Sequence, residues 1–478
     1  MTHARPPEDP LALVRAALAA DTEGSPPWLV GGAVRDRLLG RAGVGSDLDL
    51  AVAGDVEAAA RTLARAARAA VFPLSEAFGA WRVVARGGAW QADLSPLLGE
   101  TIEQDLAQRD FTVNAIAEPL AGGALIDPTG GQADLAARRL RMVSPDVFAA
   151  DPLRVLRLPR FACELGLEAD HNTVRAAAAH ASALRDVAVE RVFAELKRIV
   201  ASPDPLAGFE LMERVGVVES VLPELAALAG VEQSAYHHLD VYRHTLAVLE
   251  ETVALQRDPV AVLGEQHGRA VAALLAEPLA DELTRGTALR FGALMHDVAK
   301  PQTRGITEEG RITFWGHDAS GAETARAILA RLHASERLRA HVAALTRHHL
   351  RLGFLVRERP LPPRAEYRYL KACEPVAADV TLLSIADRIA TRGRNADEAI
   401  AKHLQLAREL IGPALAWHAH GPPAVPIRGD ELAEALAIPR GPRLGELLAE
   451  LQEAVYVGEV ATPEDAIAYA RTRASADA

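Results

Sequence analysis

Residues 28–50 constrain the fold most, because they join a strand, a glycine turn, a helix and a second strand within a short stretch. Trp28-Leu29-Val30 is an apolar run typical of a buried strand, and Gly31-Gly32 follow it directly. Glycine has no Cβ, so backbone N–H groups in such a turn can approach a ligand closely. A helical pattern, apolar at 34, 38 and 39, then leads to Gly40, a suitable C-terminal cap.

The second predicted strand carries Asp47 and Asp49, separated by Leu48. Since side chains alternate along a strand, both carboxylates point to one face. Two carboxylates beside a phosphate-cradling turn fit a magnesium site for phosphoryl or nucleotidyl transfer. Either feature alone would be an ordinary turn or a solvated strand end, and their combination favours the catalytic interpretation. Asp93, at the end of a strand predicted near 89–94, is the candidate third carboxylate, with a strand-end turn residue as the alternative.

Composition limits the class of protein. A chain of 478 residues is too long for one core, so about three domains are expected. With 49 % hydrophobic but only 4 % aromatic residues, a mostly helical protein is favoured. Two cysteines argue against a disulfide framework, and no signal core or membrane-length apolar segment is present. We therefore expect a cytoplasmic protein that does not act at a membrane.

The net charge of −12 weakens any nucleic-acid hypothesis, because phosphate contacts require Lys and Arg. The charge is uneven, however. Residues 138–160 hold six arginines against only Asp146 and Asp151. Local patches decide binding more than the total charge does, so RNA binding stays open.

Two further segments carry candidate binding residues. Residues 103–117 contain Arg109, which could hold a triphosphate, together with Asp110 and Asn114, which could bond a sugar or base; helix-surface residues are the alternative. The segment 151–165 is predicted as one helix that places three residues on one face. Within it, Asp151 and Arg154 could read a base, and an ordinary ion pair is the alternative. The candidates here are Asp151, Arg154, Arg157 and Arg160.

These motifs, and the order in which they occur, resemble those of a known enzyme family. GGAVRD…DLDL, RDFTVNAIA, DPTGG…DL and DPLRVLRLPRFA are similar to successive motifs of the class II tRNA nucleotidyltransferase and bacterial poly(A) polymerase superfamily. The resemblance implies transfer of nucleotides from CTP or ATP to an RNA 3′-hydroxyl. It implies that Asp47 and Asp49 hold Mg²⁺, that Gly31, Gly32 and Arg35 bind the triphosphate, and that Arg109, Asp110 and Asn114 bind sugar and phosphates. Asp151 and Arg154 would read the incoming base.

Two departures from the family pattern bear on specificity. Ala150 stands where relatives usually carry Glu, which puts the rigidity of the base-reading pair in question. Only residues 94–108 separate Asp93 from Arg109, whereas CCA-adding relatives usually have a longer flexible loop there. The short connection favours a CC-adding enzyme that needs a separate A-adding partner. Addition of the whole CCA end is weighed at least as strongly as CC-only addition, and poly(A) or A-only addition is the weaker alternative.

The second half contains spaced histidines and aspartates: His244, His296-Asp297 and Asp387. Imidazoles and carboxylates that converge from several helices form metal sites. The order H…HD…D resembles the HD phosphohydrolase superfamily. The resemblance implies His317 and His349 as ligands of a second metal, with His348 competing for the latter position.

The implied second reaction is metal-assisted hydrolysis of phosphomonoesters or 2′,3′-cyclic phosphates, in which a metal lowers the pKa of bound water. Mn²⁺ or Ni²⁺ are the expected metals, and Lys300 is a candidate phosphate contact. A different class of function, an RNA-binding head with the HD domain as sole enzyme, would require the DLDL motif to be inactive.

The expected architecture is an α+β, polymerase-β-like head with a small mixed or antiparallel sheet, followed by an all-α neck, an all-α HD domain and a helical tail. The predicted bounds are 1–140 for the head, 141–225 for the neck, 226–415 for the HD domain and 416–478 for the tail. The tail, interrupted at Gly441-Pro442 and restarted at Thr462-Pro463, could hold the body of a tRNA or serve packing alone.

Overall fold

The computed structural model describes residues 9–19, 27–41, 46–75, 78–233, 238–393 and 396–476. The chain divides into two compact units, Met1–Val221 and Leu222–Ala478, called here the amino-terminal and carboxy-terminal units. Within the described ranges, no helix combines the length and apolar character needed to cross a membrane.

The amino-terminal unit begins with a six-stranded mixed sheet in the order β3-β4-β5-β2-β1-β6. Its strands are β1 (Trp28–Val30), β2 (Asp47–Val52), β3 (Ala70–Ser75), β4 (Ala80–Val84), β5 (Gln91–Pro96) and β6 (Ala117–Pro119). Strands β2 and β5 are parallel, and the other pairs are antiparallel. In β2, Leu48 and Leu50 are buried whereas Asp47 and Asp49 are exposed, so the predicted alternation is present.

Short helices cover this sheet. They are α1 (Pro10–Leu18), α2 (Gly32–Leu38), α3 (Val56–Ala67), α4 (Ile102–Leu106) and α5 (Gly131–Ala136). Helix α3 packs against β3, β4 and β5 through Ala60, Leu63 and Ala64, which share one face of the helix. A second apolar cluster includes Val30, Ala51, Ile102 and Leu106 and fixes β1 and β2 against α4. The α+β fold predicted for the head is confirmed.

Helices dominate the rest of this unit. They are α6 (Val147–Ala150), α7 (Leu153–Leu165), α8 (His171–Ala179), α9 (Val189–Ala201), α10 (Pro205–Arg214) and α11 (Val218–Val221), with one short parallel pair, β7 (Arg139–Leu140) and β8 (Glu168–Ala169). The prediction that Asp151 shares a helix face with Arg154 and Arg157 is wrong. Asp151 is extended (φ −147°, ψ 102°) and α7 begins at Leu153, because a residue before proline disfavours helical backbone angles.

The carboxy-terminal unit is also largely helical. Its helices are α12 (Pro223–Ala226), α13 (Val241–Arg257), α14 (Pro259–Leu263), α15 (Glu265–Ala276), α16 (Arg285–Met295), α17 (Lys300–Thr303), α18 (His317–Arg331), α19 (Glu336–His348), α20 (Arg351–Leu355), α21 (Pro363–Ala372), α22 (Ala377–Ala390) and α23 (Ala396–His420). Two small hairpins, β9 (Pro278–Ala280) with β10 (Leu283–Thr284) and β11 (Arg304–Ile306) with β12 (Ile312–Phe314), add strands that the sequence did not predict.

Helix α16 is the centre of this unit. It packs against α13, α19 and α22, and it is buried along most of its length. At Gly292 a Cβ would lie 2.6 Å from the Leu345 side chain, so α16 and α19 approach each other too closely for a larger residue. The end of α16 therefore meets its neighbours in a tightly packed region, and His296 and Asp297 follow directly.

The tail folds as three helices with a core of its own. They are α24 (Gly429–Leu436), α25 (Pro442–Tyr456) and α26 (Pro463–Ala476), with buried side chains that include Leu432, Leu447 and Leu451. The predicted interruption and restart are both present, since α25 begins after Gly441 and α26 begins at Pro463. Helix α25 packs against α21, where Arg364 pairs with Glu453 at 3.1 Å. This contact is compatible with the packing role considered for the tail.

Two candidate active sites

The first site is a cavity of about 460 Å³ in the amino-terminal unit. It lies where the glycine turn, the start of β2 and helix α7 meet. The predicted residues that line it are Gly31, Gly32, Arg35, Asp47, Asp49, Arg109, Asp110, Asn114, Arg154, Arg157 and Arg160. The structure thus brings together candidates that are more than a hundred residues apart in the sequence.

The glycine turn lets charged groups approach the backbone. Gly31 has a φ of +69°, and a Cβ there would lie 3.3 Å from the Arg109 guanidinium and 3.5 Å from the Asp49 carboxylate. A side chain would be strained by the backbone angle and would crowd both groups. The turn therefore keeps a positive and a negative group close to the start of α2.

The carboxylates of β2 form a crowded acidic pair. Asp49 lies opposite Asp93 in the parallel register of β2 and β5, and Asp47 accepts a hydrogen bond from Gln91 at 3.0 Å. Although its side chain reaches solvent in the cavity, Asp49 is surrounded by protein. This burial, followed by repulsion from Asp47, raises the pKa of Asp49 to about 6. A bound cation would relieve this repulsion, so the pair fits a divalent metal.

Asp93 is differently placed from the pair. Its carboxylate accepts two hydrogen bonds of 2.7 Å from Arg82, and it does not line the cavity. Its proximity adds to the repulsion that raises the pKa of Asp49. In this geometry Asp93 acts on Asp49 through its charge, and its role as a third metal ligand stays a prediction.

Asp110 and Asn114 are buried, which excludes the alternative that they are helix-surface residues. Asp110 pairs with Arg157 at 3.0 Å and accepts a 2.9 Å hydrogen bond from Asn114, which in turn accepts one of 2.6 Å from Arg35. Burial alone would raise the pKa of Asp110, but Arg157 and Asn114 hold it below its usual value. This chain of contacts fixes two arginines at the cavity wall.

Several residues that support the site were not predicted from sequence. Asp105 is 3 % exposed and holds Arg109 through two hydrogen bonds of 3.0 and 2.9 Å. Glu195 on α9 pairs with Arg160 at 2.8 Å, and the Arg160 guanidinium lies 3.9 Å from the centre of the Phe161 ring. Each is an acid or aromatic residue in a helix, with no local pattern to distinguish it. The sequence offered one signal for these supporting residues, the many arginines of residues 138–160, because such positive charges require acidic partners nearby.

The predicted base-reading residues, Asp151 and Arg154, are held by different partners. Asp151 pairs with Arg191 at 2.9 Å and accepts a 3.2 Å hydrogen bond from the Leu153 backbone. Arg154 donates a 2.9 Å hydrogen bond to the carbonyl of Gln108, at the end of the 94–108 connection. Arg154 lines the cavity, whereas Asp151 does not. Arg191 thus anchors Asp151 in a chain that has Ala150 in place of the usual Glu.

The second site is a cavity of about 1290 Å³ in the carboxy-terminal unit. Beside it two groups of possible metal ligands share one carboxylate: His244, His296 and Asp297 form the first group, and Asp297, His317 and His349 form the second. Asp387 lies 3.1 Å from His244 Nε2 and also lines the cavity. All six predicted ligands are therefore together, whereas His348 instead accepts a 2.8 Å hydrogen bond from Arg351.

The imidazoles are oriented for metal binding. The Nδ1 atoms of His296, His317 and His349 lie 2.8, 2.7 and 2.7 Å from backbone carbonyls, to which only an N–H can donate. In the neutral form of each ring, the lone pair therefore lies on Nε2. The Nε2 atoms of His317 and His349 face each other at 3.3 Å, an arrangement of two acceptors that a cation between them would stabilise. The donor set fits a pair of metal ions bridged by Asp297.

Charge at this cluster is balanced internally. Burial would raise the pKa of Asp297, but His296 and Lys300 hold it well below its usual value. Lys300 Nζ lies 2.7 Å from the Asp297 carboxylate, so this candidate phosphate contact is next to the ligands. Burial lowers the pKa of His349 to about 4 and keeps it neutral. The cavity wall also contains Ser384 and His403, 3.0 Å apart, which were not predicted.

Comparison with known proteins decides the family. The chain is 38 % identical over 447 residues to the A-adding tRNA nucleotidyltransferase of Deinococcus radiodurans, covering 92 % of this chain and 94 % of the relative. It is 36 % identical over 448 residues to the CC-adding tRNA nucleotidyltransferase of Thermus thermophilus, covering 92 % of each. The chain belongs to the tRNA nucleotidyltransferase family. It is accordingly an enzyme of the nucleotidyltransferase type.

The parts of this nucleotidyltransferase match separate families and a known fold. Residues 27–141 match the poly A polymerase head domain, 166–228 a probable RNA and SrmB binding site of polymerase A, and 265–392 the HD domain. A CCA-adding enzyme in complex with ATP has the same fold, with a TM-score of 0.65 and 20 % identity, covering 98 % of this chain and 95 % of the other. The CCA-adding enzyme of Thermotoga maritima, complexed with tRNA, matches with a TM-score of 0.63 and 20 % identity, and the match covers 97 % of this chain and 95 % of the other.

Proposed function

We propose that the amino-terminal cavity transfers cytidylate from CTP to the 3′ end of tRNA and stops after two cytidines. The relatives named for CC- and A-adding activity support tRNA as the substrate. Asp47 and Asp49 would hold Mg²⁺, which would stabilise the negative charge on the transferred phosphate. A tRNA substrate also supports the expected cytoplasmic location.

The chemistry follows from the residues around the cavity. The tRNA 3′-oxygen attacks the α-phosphorus of CTP, the bond from that phosphorus to the bridging oxygen breaks, and pyrophosphate leaves with its electron pair. Arg109, held by Asp105, and Arg157, held by Asp110, offer fixed positive charge to the phosphates. Asp110 acts by positioning Arg157, and Asn114 acts by positioning Asp110 and Arg35.

The observation that carries the cytidine proposal is the structure of the 94–108 connection. Leu98 donates its backbone N–H to Asp105 at 3.1 Å, Glu100 donates to Gln104 at 2.7 Å, and the end of the segment accepts from Arg154 through Gln108. The connection is short and bonded along its length, so it favours one fixed orientation of Arg154. A fixed base-reading group suits one nucleotide and leaves the final adenosine to a separate A-adding enzyme.

Adenosine-only addition is the second candidate. It is supported by the 38 % identity to the Deinococcus radiodurans A-adding enzyme over nearly the whole chain. A fixed Arg154 is equally compatible with a site that accepts ATP alone. Addition of the whole CCA end would instead require the Arg154–Gln108 contact to break between the second and third nucleotide.

Sequenced tRNA 3′ ends distinguish these outcomes. The purified enzyme is given tRNAs ending at the discriminator base, at C and at CC, with CTP, ATP or both. The proposal predicts extension of the first two substrates to CC and no extension of the third. Adenosine added only to the CC substrate would establish the A-adding alternative, and complete CCA ends from both nucleotides would show that the fixed connection does not limit specificity.

We propose further that the carboxy-terminal unit hydrolyses phosphate esters at the His–Asp cluster. The six ligands would hold two metal ions, with Mn²⁺ or Ni²⁺ as the candidates, and bound metal would lower the pKa of water. Lys300 is placed to contact a substrate phosphate. The oxygen of water bonds to phosphorus, the ester P–O bond breaks, and the proton that the water loses goes to the leaving oxygen. Metal analysis and phosphate release with each metal test this proposal, and a protein that binds no metal would overturn it.

A further inference from the structure

The mouth of the carboxy-terminal cavity carries concentrated exposed apolar surface. Within the described part of this unit, the large hydrophobic side chains exposed to solvent are Ile306, Trp315 and Phe354, at 63, 83 and 71 % accessibility. All three lie on two segments next to the cavity. Ile306 faces Ile312 across the β11–β12 hairpin, whose second strand lines the cavity; Trp315 follows that strand directly; and Phe354 on α20 itself lines the cavity.

Exposed aromatic rings at a cavity indicate a ligand, because such surface is unfavourable in water unless something covers it. Tyr, Trp and Phe rings are used in particular to stack flat ligands. The cavity volume of about 1290 Å³ exceeds the roughly 300–1,000 Å³ typical of small-molecule sites. The occupant is therefore expected to be larger than a simple phosphomonoester.

The cavity wall also carries positive charge that the protein does not neutralise. Of its acids, Asp297 and Asp387 belong to the metal cluster and Glu398 pairs with Lys402. Arg357 is exposed and has no ion-pair or hydrogen-bond partner among the described residues. Arg388 bonds the Thr391 carbonyl through Nη2, but its Nε is buried without an acceptor. An unpaired buried donor on a cation points to an anionic ligand.

We propose that these two segments, Ile306–Trp315 and Phe354–Arg357, form a platform for the unpaired 3′ end of an RNA chain. Bases stack on Trp315 and Phe354, backbone phosphates contact Arg357 and Arg388, and the terminal phosphate reaches the metal cluster. Alternating basic and aromatic contacts are the means by which proteins bind single strands with little sequence preference. An apolar peptide would cover the rings but leave both arginines without a counter-charge. The inference rests on the proposed phosphohydrolase function.

The test compares substrates of increasing length with the Mn²⁺-loaded enzyme. Oligoribonucleotides of one, two and four residues, each with a 3′-phosphate, are hydrolysed and kcat/KM is measured. We expect kcat/KM to rise with length in the unaltered enzyme. The variant with both Trp315→Ala and Phe354→Ala should lose about 30-fold or more on the tetramer, because losing one stacked base costs between about 5- and 150-fold, and it should no longer respond to length. Trp315→Phe should keep most of the activity.

Phe78→Ala is the matched control, because Phe78 is 76 % exposed and lies in the other unit. Phe78→Ala should leave kcat/KM unchanged for all three substrate lengths. Equal kcat/KM for all three lengths, or an unaffected double variant, would overturn the platform while leaving the phosphohydrolase in place. If no substrate is hydrolysed, the phosphohydrolase proposal fails by itself. Fluorescence anisotropy of a labelled tetranucleotide then tests the platform independently, since equal affinity of the unaltered enzyme and the double variant would overturn it.

Discussion

The two cavities hold their candidate metal-binding carboxylates in opposite ways. In the amino-terminal cavity, Asp47 and Asp49 reach solvent and repel each other, and the protein packed around Asp49, followed by this repulsion, raises its pKa to about 6. In the carboxy-terminal unit, Asp297 is 2 % exposed, is surrounded by imidazoles and Lys300, and has a pKa well below its usual value. The first arrangement suits a metal that arrives with its nucleotide. The second is organised to retain a metal without substrate.

The positively charged side chains of the two cavities also differ. Arginines line the amino-terminal cavity, and most of them are fixed by a partner acid or carbonyl, as in the pairs Arg109–Asp105 and Arg160–Glu195. Arg41, which also lines this cavity, has no such partner among the described residues. The planar, permanently charged groups of the fixed arginines suit the several phosphates of a nucleoside triphosphate. In the other cavity Lys300 is the positive group next to the ligands. A single point charge suits one phosphate, in agreement with the hydrolytic reaction proposed there.

The largest expected effect is at Asp297, which both ligand groups share. Asp297→Asn should release bound metal and lower phosphate release on the order of 10³-fold, because an amide neither carries the charge nor bridges two ions. Nucleotide addition should be unchanged. Metal content by atomic emission and the two activities are measured together. The control is His348→Asn, a neighbouring histidine outside the cluster, and a parallel loss of nucleotide addition would contradict the separation of the two sites.

The reverse experiment uses Asp49→Asn. Losing one of the two β2 carboxylates should lower cytidine addition on the order of 10³-fold, with phosphate release unchanged. The substitution also removes a repulsive charge, so thermal stability should not fall. Primer extension and a melting curve give both values. If cytidine addition is retained in Asp49→Asn but lost in Asp93→Asn, the principal metal ligand is Asp93 on β5.

The sequence was most informative where a motif is local. The strand–turn–helix of residues 28–38 and the alternation around Asp47 and Asp49 have the predicted form, because both depend on near neighbours. The six candidate histidine and aspartate ligands were predicted from their order in a family, and the structure brings them together. The supporting contacts Asp105–Arg109 and Glu195–Arg160 depend on pairings between elements, which spacing does not reveal. Asp151 was misplaced because Pro152 delays the start of α7.

A smaller effect is expected in the pH dependence of metal binding at the amino-terminal cavity. Because the pKa of Asp49 is about 6, about a quarter of the molecules keep it ionised at pH 5.5, against nearly all at pH 7.5. Metal affinity of the amino-terminal cavity should therefore fall about fourfold between these values as the pH is lowered. Mn²⁺ binding, followed by water proton relaxation in the Asp297→Asn background, measures it. Asp47→Asn should shift the change to lower pH, since it removes a charge that raises the pKa of Asp49. A pH-independent affinity would contradict this assignment.

The smallest expected effect concerns Arg191, which anchors Asp151 at 2.9 Å. Half-exposed ion pairs contribute about 0.2–1 kcal/mol, so Arg191→Met should reduce the preference between CTP and ATP by about 1.5- to 5-fold, mainly through KM. Arg61→Met, which breaks the exposed pair with Glu57 on α3, is the matched control and should leave the preference unchanged. Adding Ala150→Glu to Arg191→Met should restore part of the lost preference if an acid at 150 supplies an alternative anchor. Unchanged nucleotide preference in Arg191→Met would show that the 94–108 connection, through Gln108 and Arg154, fixes the base-reading pair without help from α9.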